Sequence, residues 1–176
     1  GLGDVYKRQD YGRCVQVIAA WTRALGLGDV LADSDIALMA CRGARYHHDG
    51  EQYGSAAFCN LFLSDDKGLD VHFPYSGQRI PLVRGTAIVF DTCQPHAVIR
   101  RGSSGFQTAD FASDEDLTQL FLTWELPVEA ACVAQALGVV FDIDPQAAAG
   151  MAQEQVWENG ARAVVNPASG RWDPAV

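Results

Sequence analysis

From position 36 to position 101 the apolar residues come in short runs, and each run is cut off by Gly, Pro, Asp or Ser. A helix needs an uninterrupted apolar stripe over ten or more residues, so this stretch is confined to short strands joined by turns. The expected strands cover 36–42, 44–49, 56–63, 69–74, 79–83, 86–91, 95–101 and, further on, 117–126. Turn chemistry agrees with the divisions, because SDDKG at 64–68 and YSG at 75–77 fall between strand runs as hairpin connections do. So many short strands in so little chain imply a barrel or a double-sheet jelly roll.

Helical spacing flanks this core. Val15, Ile18, Trp21 and Leu25 recur at helical intervals over residues 11–26, with Gly26 placed to cap the C-terminus. Beyond Pro127, VEAACVAQAL reads as helix, and a second helix is expected from an N-cap at Asp144, with Pro145 at its first position, to a stop at Gly160. The tail from 161 to 176 holds two Pro and one Gly and is assigned no regular structure. Residues 102–116 are rich in Gly, Ser and Asp and form a long loop, a candidate lid. The organisation expected is thus a non-native or disordered leader at 1–9, a helix plus β core at 10–126, and a helical extension at 127–176 packed on the core.

Charge and cysteine usage narrow the function classes. With a net charge of -9, the surface is a poor match for nucleic-acid phosphates, which need clustered Lys and Arg, so no nucleic-acid partner is expected. No apolar run reaches the roughly 20 residues of a membrane helix, and no membrane partner is expected. Five cysteines without C-x-x-C spacing read as reduced thiols, which points to the cytoplasm.

All four histidines lie between positions 47 and 96, in the segments RYHHDG, VHFP and PHAVIRR. Side chains alternate along a strand, so His47 and Asp49 share one face and His48 takes the other. With His96 delivered from a distant strand, they make a two-histidine, one-carboxylate triad that leaves three coordination positions of an iron(II) ion open. Zinc more often takes a closed or three-histidine arrangement. The plainer readings stand beside this one: unrelated strand residues for the three, a satisfied core or surface histidine for His72, an exposed or supporting role for His48, and a small buried hydrophobe for Cys93. A shifted register, His48-Asp49-Gly50, would match the triad of iron halogenases.

The segment from Ala44 to Gly102 resembles the double-stranded β-helix core of the iron(II) and 2-oxoglutarate-dependent dioxygenases, especially the prolyl-4-hydroxylase-like branch. The resemblance rests on Tyr46 before His47-x-Asp49, the strand run 57–63, the acidic turn 65–68, the pair Phe73-Pro74, the Gly-led run 85–90, and Pro95-His96. It covers about a third of the chain. It implies a mainly β fold with flanking helices, a jelly-roll or cupin-like barrel. It further implies iron(II) held by His47, Asp49 and His96, 2-oxoglutarate as co-substrate, ascorbate as a candidate further cofactor, and a hydroxylase consuming O2. The substrate would be a small molecule or a peptidyl side chain, with release of succinate and CO2.

One departure from the family pattern concerns the co-substrate. The last expected strand, TQLFLTWEL, carries no Arg or Lys to pair with its distal carboxylate. Arg100 is the substitute candidate because it shares the parity of His96, although four strand residues separate them by roughly 13 Å. Arg101, Arg84 and Lys67 are alternatives, with Arg favoured for its bidentate fork. Tyr46 and Tyr53 are candidate contacts to the co-substrate. Two other functions stay open: a cupin-like metal dioxygenase independent of 2-oxoglutarate, and a non-catalytic metal-binding β-barrel sensor.

Overall fold

The computed structural model describes residues 2–31, 36–50, 56–112, 114–140, 157–158 and 160–174. Helix α1 (Leu2–Ala24) is followed by a short 3-10 turn (Gly28–Leu31). Eight strands follow: β1 (Ala37–Cys41), β2 (Ala44–His47), β3 (Ala56–Phe62), β4 (Leu69–Phe73), β5 (Gln78–Pro81), β6 (Ala87–Asp91), β7 (His96–Arg100) and β8 (Gln119–Pro127). Helix α2 (Ala131–Leu137) and three further strands, β9 (Trp157–Glu158), β10 (Ala161–Val165) and β11 (Trp172–Pro174), complete the order.

The eight strands form two antiparallel sheets, one ordered β1-β8-β3-β6 and the other β2-β7-β4-β5. Strict alternation on β3 creates two different faces. Phe62 meets Ile88 of β6 and, from the second sheet, Leu69, Val71 and Phe73, so this face is the one between the sheets. Ala57 and Cys59 point the other way and join Leu122, Trp124 and Leu126 of β8 beneath Ile18 of α1 and Val133 of α2. Trp21 and Trp124 meet edge-on at 5.7 Å between ring centres, an arrangement aromatic quadrupoles favour. The second sheet is covered on its outer face as well: Tyr46, Ala97 and Ile99 pack there against Phe106 and Val165.

Three differences from the sequence reading have physical causes. Helix α1 runs on through residues expected to be a separate leader; Tyr6-Lys7-Arg8-Gln9 contains no Pro or Gly to stop it, and three of these four are good helix formers. Its C-terminus falls at Gly26 as expected, with φ 77° and the Leu27 N–H donating to the Thr22 carbonyl at 3.0 Å. Second, the helix expected to reach Gly160 is not helical at its end, since Trp157–Glu158 pairs with β10; residues 141–156 lie outside the described residues.

Third, the tail is a hairpin, not irregular chain. Asn166 Oδ1 accepts the N–H groups of Ala168 and Ser169, both at 3.0 Å, and its amide donates to Asp173 at 2.8 Å. Gly170 closes the turn at φ 73°. The Pro and Gly of NPASG punctuate a turn between two strands and do not signal absence of structure. Among the described residues no helix is long and apolar enough to cross a membrane.

Candidate metal centre

Strands β2 and β7 pair so that His47 and His96 stand directly opposite each other, with their ring centres 4.4 Å apart. The register shifts between Ala44 and His47, so three residues on β2 span what two span on β7, and this bulge re-aims the end of the strand. Strand β2 stops at His47, two residues short of the expected end. Asp49 is held instead by its own backbone, whose N–H donates to the Thr92 carbonyl at 2.9 Å. The turn that presents Thr92 is pinned by Asp91, whose carboxylate accepts the Cys93 N–H at 2.8 Å. Gly50 lets the chain pass this turn: a Cβ there would stand 2.7 Å from Cys93 Sγ.

The result is one carboxylate oxygen between two imidazoles. Asp49 Oδ2 lies 3.6 Å from His47 Nε2 and 3.6 Å from His96 Nε2, and the three donor atoms all fall within 4.8 Å of one another. The far side of each ring is committed. His47 Nδ1 donates to the Arg45 carbonyl at 2.6 Å and His96 Nδ1 to the Gln94 carbonyl at 2.9 Å. A carbonyl only accepts, so each Nδ1 carries the proton in the neutral ring and each Nε2 presents its lone pair to the centre, which is how metal-binding histidines are oriented. His96 is buried beside the rings of Phe90 and Phe73, at 5.0 and 6.1 Å, while His47 is half-exposed.

Electrostatics point the same way. Burial works against charge on Asp49, but contacts from His47 and His96 outweigh it and hold its carboxyl well below the usual carboxylate range. The Asp49 carboxylate raises the pKa of His47; burial opposes this and the Arg45 carbonyl adds to it. A divalent cation would replace the proton as the positive partner.

Of the other expected site residues, Arg100 and Tyr46 are not gathered here. Arg100 lies at the far end of β7, opposite Leu69, where it binds the Glu115 carboxylate and, at 3.4 Å, the Lys67 carbonyl. The alternatives are likewise taken up by acids: Arg101 by Asp66 and Asp70, Arg84 by Asp65, and Lys67 by Asp116. Tyr46 faces away from the centre, its hydroxyl 2.6 Å from His72 Nδ1 on the outer face of the second sheet. The alternation that sets His48 apart from His47 does the same to Tyr46, so this placement was legible in the sequence. Tyr53 lies outside the described residues. His48 packs on Trp172 of the C-terminal hairpin at 5.1 Å.

Sequence reasoning passed over two buried neutral groups. Asn60 and Thr123 are cross-strand neighbours, Asn60 with the inward parity of Phe62, and both are 7% exposed. Asn60 Oδ1 and Thr123 Oγ1 have no hydrogen-bond partner. A polar residue at an inward strand position was the available signal. A scan against protein-family models finds no match for this chain, and a search of curated proteins finds no relative.

Proposed function

We propose that this protein is a mononuclear non-haem iron(II) oxygenase built on a double-stranded β-helix. The observation that carries the reading is the pair of Nε2 atoms, released by carbonyl-held Nδ1 atoms, converging with Asp49 Oδ2. Two neutral imidazoles and one carboxylate suit a divalent iron ion with open coordination positions, and the bound ion would supply oxygen activation. The fold reading is supported by the way successive strands switch between the two sheets, as strands of a jelly roll do.

The chain's own residues do the rest. The Arg45 and Gln94 carbonyls fix ring orientation and tautomer, which raises ligand basicity and keeps the site formed before metal arrives. Phe73 and Phe90 keep water from the His96 side. The half-exposed His47 and Asp49 leave the opposite side open to ligands.

The sequence resemblance supports 2-oxoglutarate as co-substrate, acting on a small molecule or a peptidyl side chain. Its distal carboxylate does not fit what surrounds the triad: among the described residues no Lys or Arg side chain pairs with His47, Asp49 or His96, Arg45 meets His47 through its backbone carbonyl, and Arg100 is held by Glu115. This observation favours a second reading, a cupin-like metal dioxygenase that does not consume 2-oxoglutarate. Protein loaded anaerobically with iron(II) and then given O2, with and without 2-oxoglutarate, separates the two. Succinate formed in step with O2 uptake supports the first, and uptake without the co-substrate supports the second. Iron bound with no O2 uptake under either condition would leave a metal-binding module without turnover and refute the oxygenase.

A further inference from the structure

Behind the strands that carry the candidate metal ligands, the outer face of the second sheet, the loop 104–107 and the turn of the C-terminal hairpin line an open cavity of about 540 Å³. That volume lies within the range of sites that hold small molecules, roughly 300–1,000 Å³. Its wall has a distinctive composition. Tyr46, His72, Tyr75 and Phe106 supply rings, Gln107 supplies an amide, and Arg171 supplies a guanidinium. Among the described residues no acidic side chain lines it, although the chain holds 22 Asp and Glu against 13 Lys and Arg. In so acidic a protein, a wall with a cation and without an anion is a local reversal of sign.

The cation is also unspent. Four cations around the second sheet are taken up by carboxylates, Arg79 by Asp70, Arg84 by Asp65, Arg100 by Glu115 and Arg101 by Asp66, while Arg45 of β2 lies over the Phe106 ring at 6.0 Å. Among the described residues the Arg171 guanidinium meets no carboxylate; only its backbone is tied, to Ser169 Oγ at 3.3 Å and to the Asn166 N–H at 2.7 Å. The floor is organised toward donation. The Tyr46 hydroxyl engages His72 Nδ1 at 2.6 Å, which leaves Nε2 as the free edge of that ring. Burial keeps His72 toward its neutral form, and the nearby charge of Arg79 acts in the same direction. A neutral ring accepting the phenol proton at Nδ1 carries its own proton at Nε2, a donor.

We propose that this cavity is a second ligand site, separate from the metal centre, for a small ring-bearing carboxylate. The rings take its planar body, and Arg171, the free edge of His72 and the Gln107 amide take the carboxylate. Among the described residues Tyr46 is the one residue of the strand carrying His47 that lines the cavity, and its side chain leaves β2 on the opposite face.

Benzoate is the probe, titrated into metal-free protein so that no metal ion can capture its carboxylate, with amide and imidazole resonances followed by NMR. Saturable shifts are expected at Gly105, Gln107, Arg171 and the His72 ring. Charge-assisted hydrogen bonds are worth about 1.5–3 kcal/mol, so Arg171→Gln and the neutral analogue benzamide should each weaken binding about tenfold or more. Arg171→Lys, which keeps the charge, should retain most of the affinity, and Asp49→Ala should leave it within about twofold. The proposal is overturned if benzoate gives no saturable shifts, if Arg171→Gln or benzamide binds as well, or if the shifts centre on His47 and His96. It is also overturned if inorganic phosphate, an anion without a ring, competes at equal concentration.

Discussion

Filling the metal centre should raise the melting temperature by an amount that Asp49→Ala removes entirely. Arg45 and Gln94 already hold both imidazoles, and Asp49 is anchored through its backbone N–H. Little binding energy is spent on rebuilding the site, so most of it appears as stability. At a hundredfold excess of free metal over its Kd, linkage contributes about 2.7 kcal/mol. For a chain of 176 residues each kcal/mol moves the midpoint about 2–4 °C, so the expected shift is about 5–11 °C. Asp49→Ala in metal-free protein should cost little by comparison. Its carboxylate is one-third exposed and 3.6 Å from each imidazole, contacts worth about 0–1 kcal/mol at such a surface. The assay is differential scanning calorimetry with anaerobic Mn(II), which suits the same ligand set without turnover, together with equilibrium dialysis for stoichiometry. A variant that keeps the metal-induced shift, or still binds one ion per chain, would refute the triad.

Three further expectations follow from the packing of the two sheets and the C-terminal hairpin. His72 has a lowered pKa, so the stability it contributes is complete above 6.5 and is lost as pH falls toward its folded value; an NMR titration midpoint at or above 6.5 would contradict this. Gly170→Ala should destabilise the protein by about 1–3 kcal/mol, because its φ is 73° and a Cβ would stand 2.6 Å from the Tyr46 ring and from Pro74. Denaturant unfolding that shows no loss would mean the hairpin does not dock as described. Thr123→Val replaces an unpartnered buried hydroxyl by a methyl of the same shape, so the midpoint should hold or rise; a loss above about 1 kcal/mol would reveal a hydrogen bond at that hydroxyl.

The core was legible in the sequence because its strands announce themselves locally. Alternation and turn residues place all eight within a few positions, and alternation turns Tyr46 away from His47, whereas Asp49 lies beyond the end of β2 and owes its place to the Thr92 turn. The C-terminal hairpin is not legible from composition because Pro and Gly have the signature of breakers, although NPASG carries an Asn that bonds its own backbone.

What the chain determined by itself is therefore a set of faces: which side chains can look inward, and that one carboxylate and two imidazoles are available to meet. Tertiary structure alone decided the distances. Pairing of β2 with β7 sets His47 against His96, and the bulge with the Thr92 turn brings Asp49 between them. It also decided the fate of the cations. Arg100 has the inward parity expected of a carboxylate partner, yet Glu115, fifteen residues away, reaches it in the fold. Periodicity reports direction along one strand, whereas proximity depends on strand pairing and on loops whose paths no local pattern encodes.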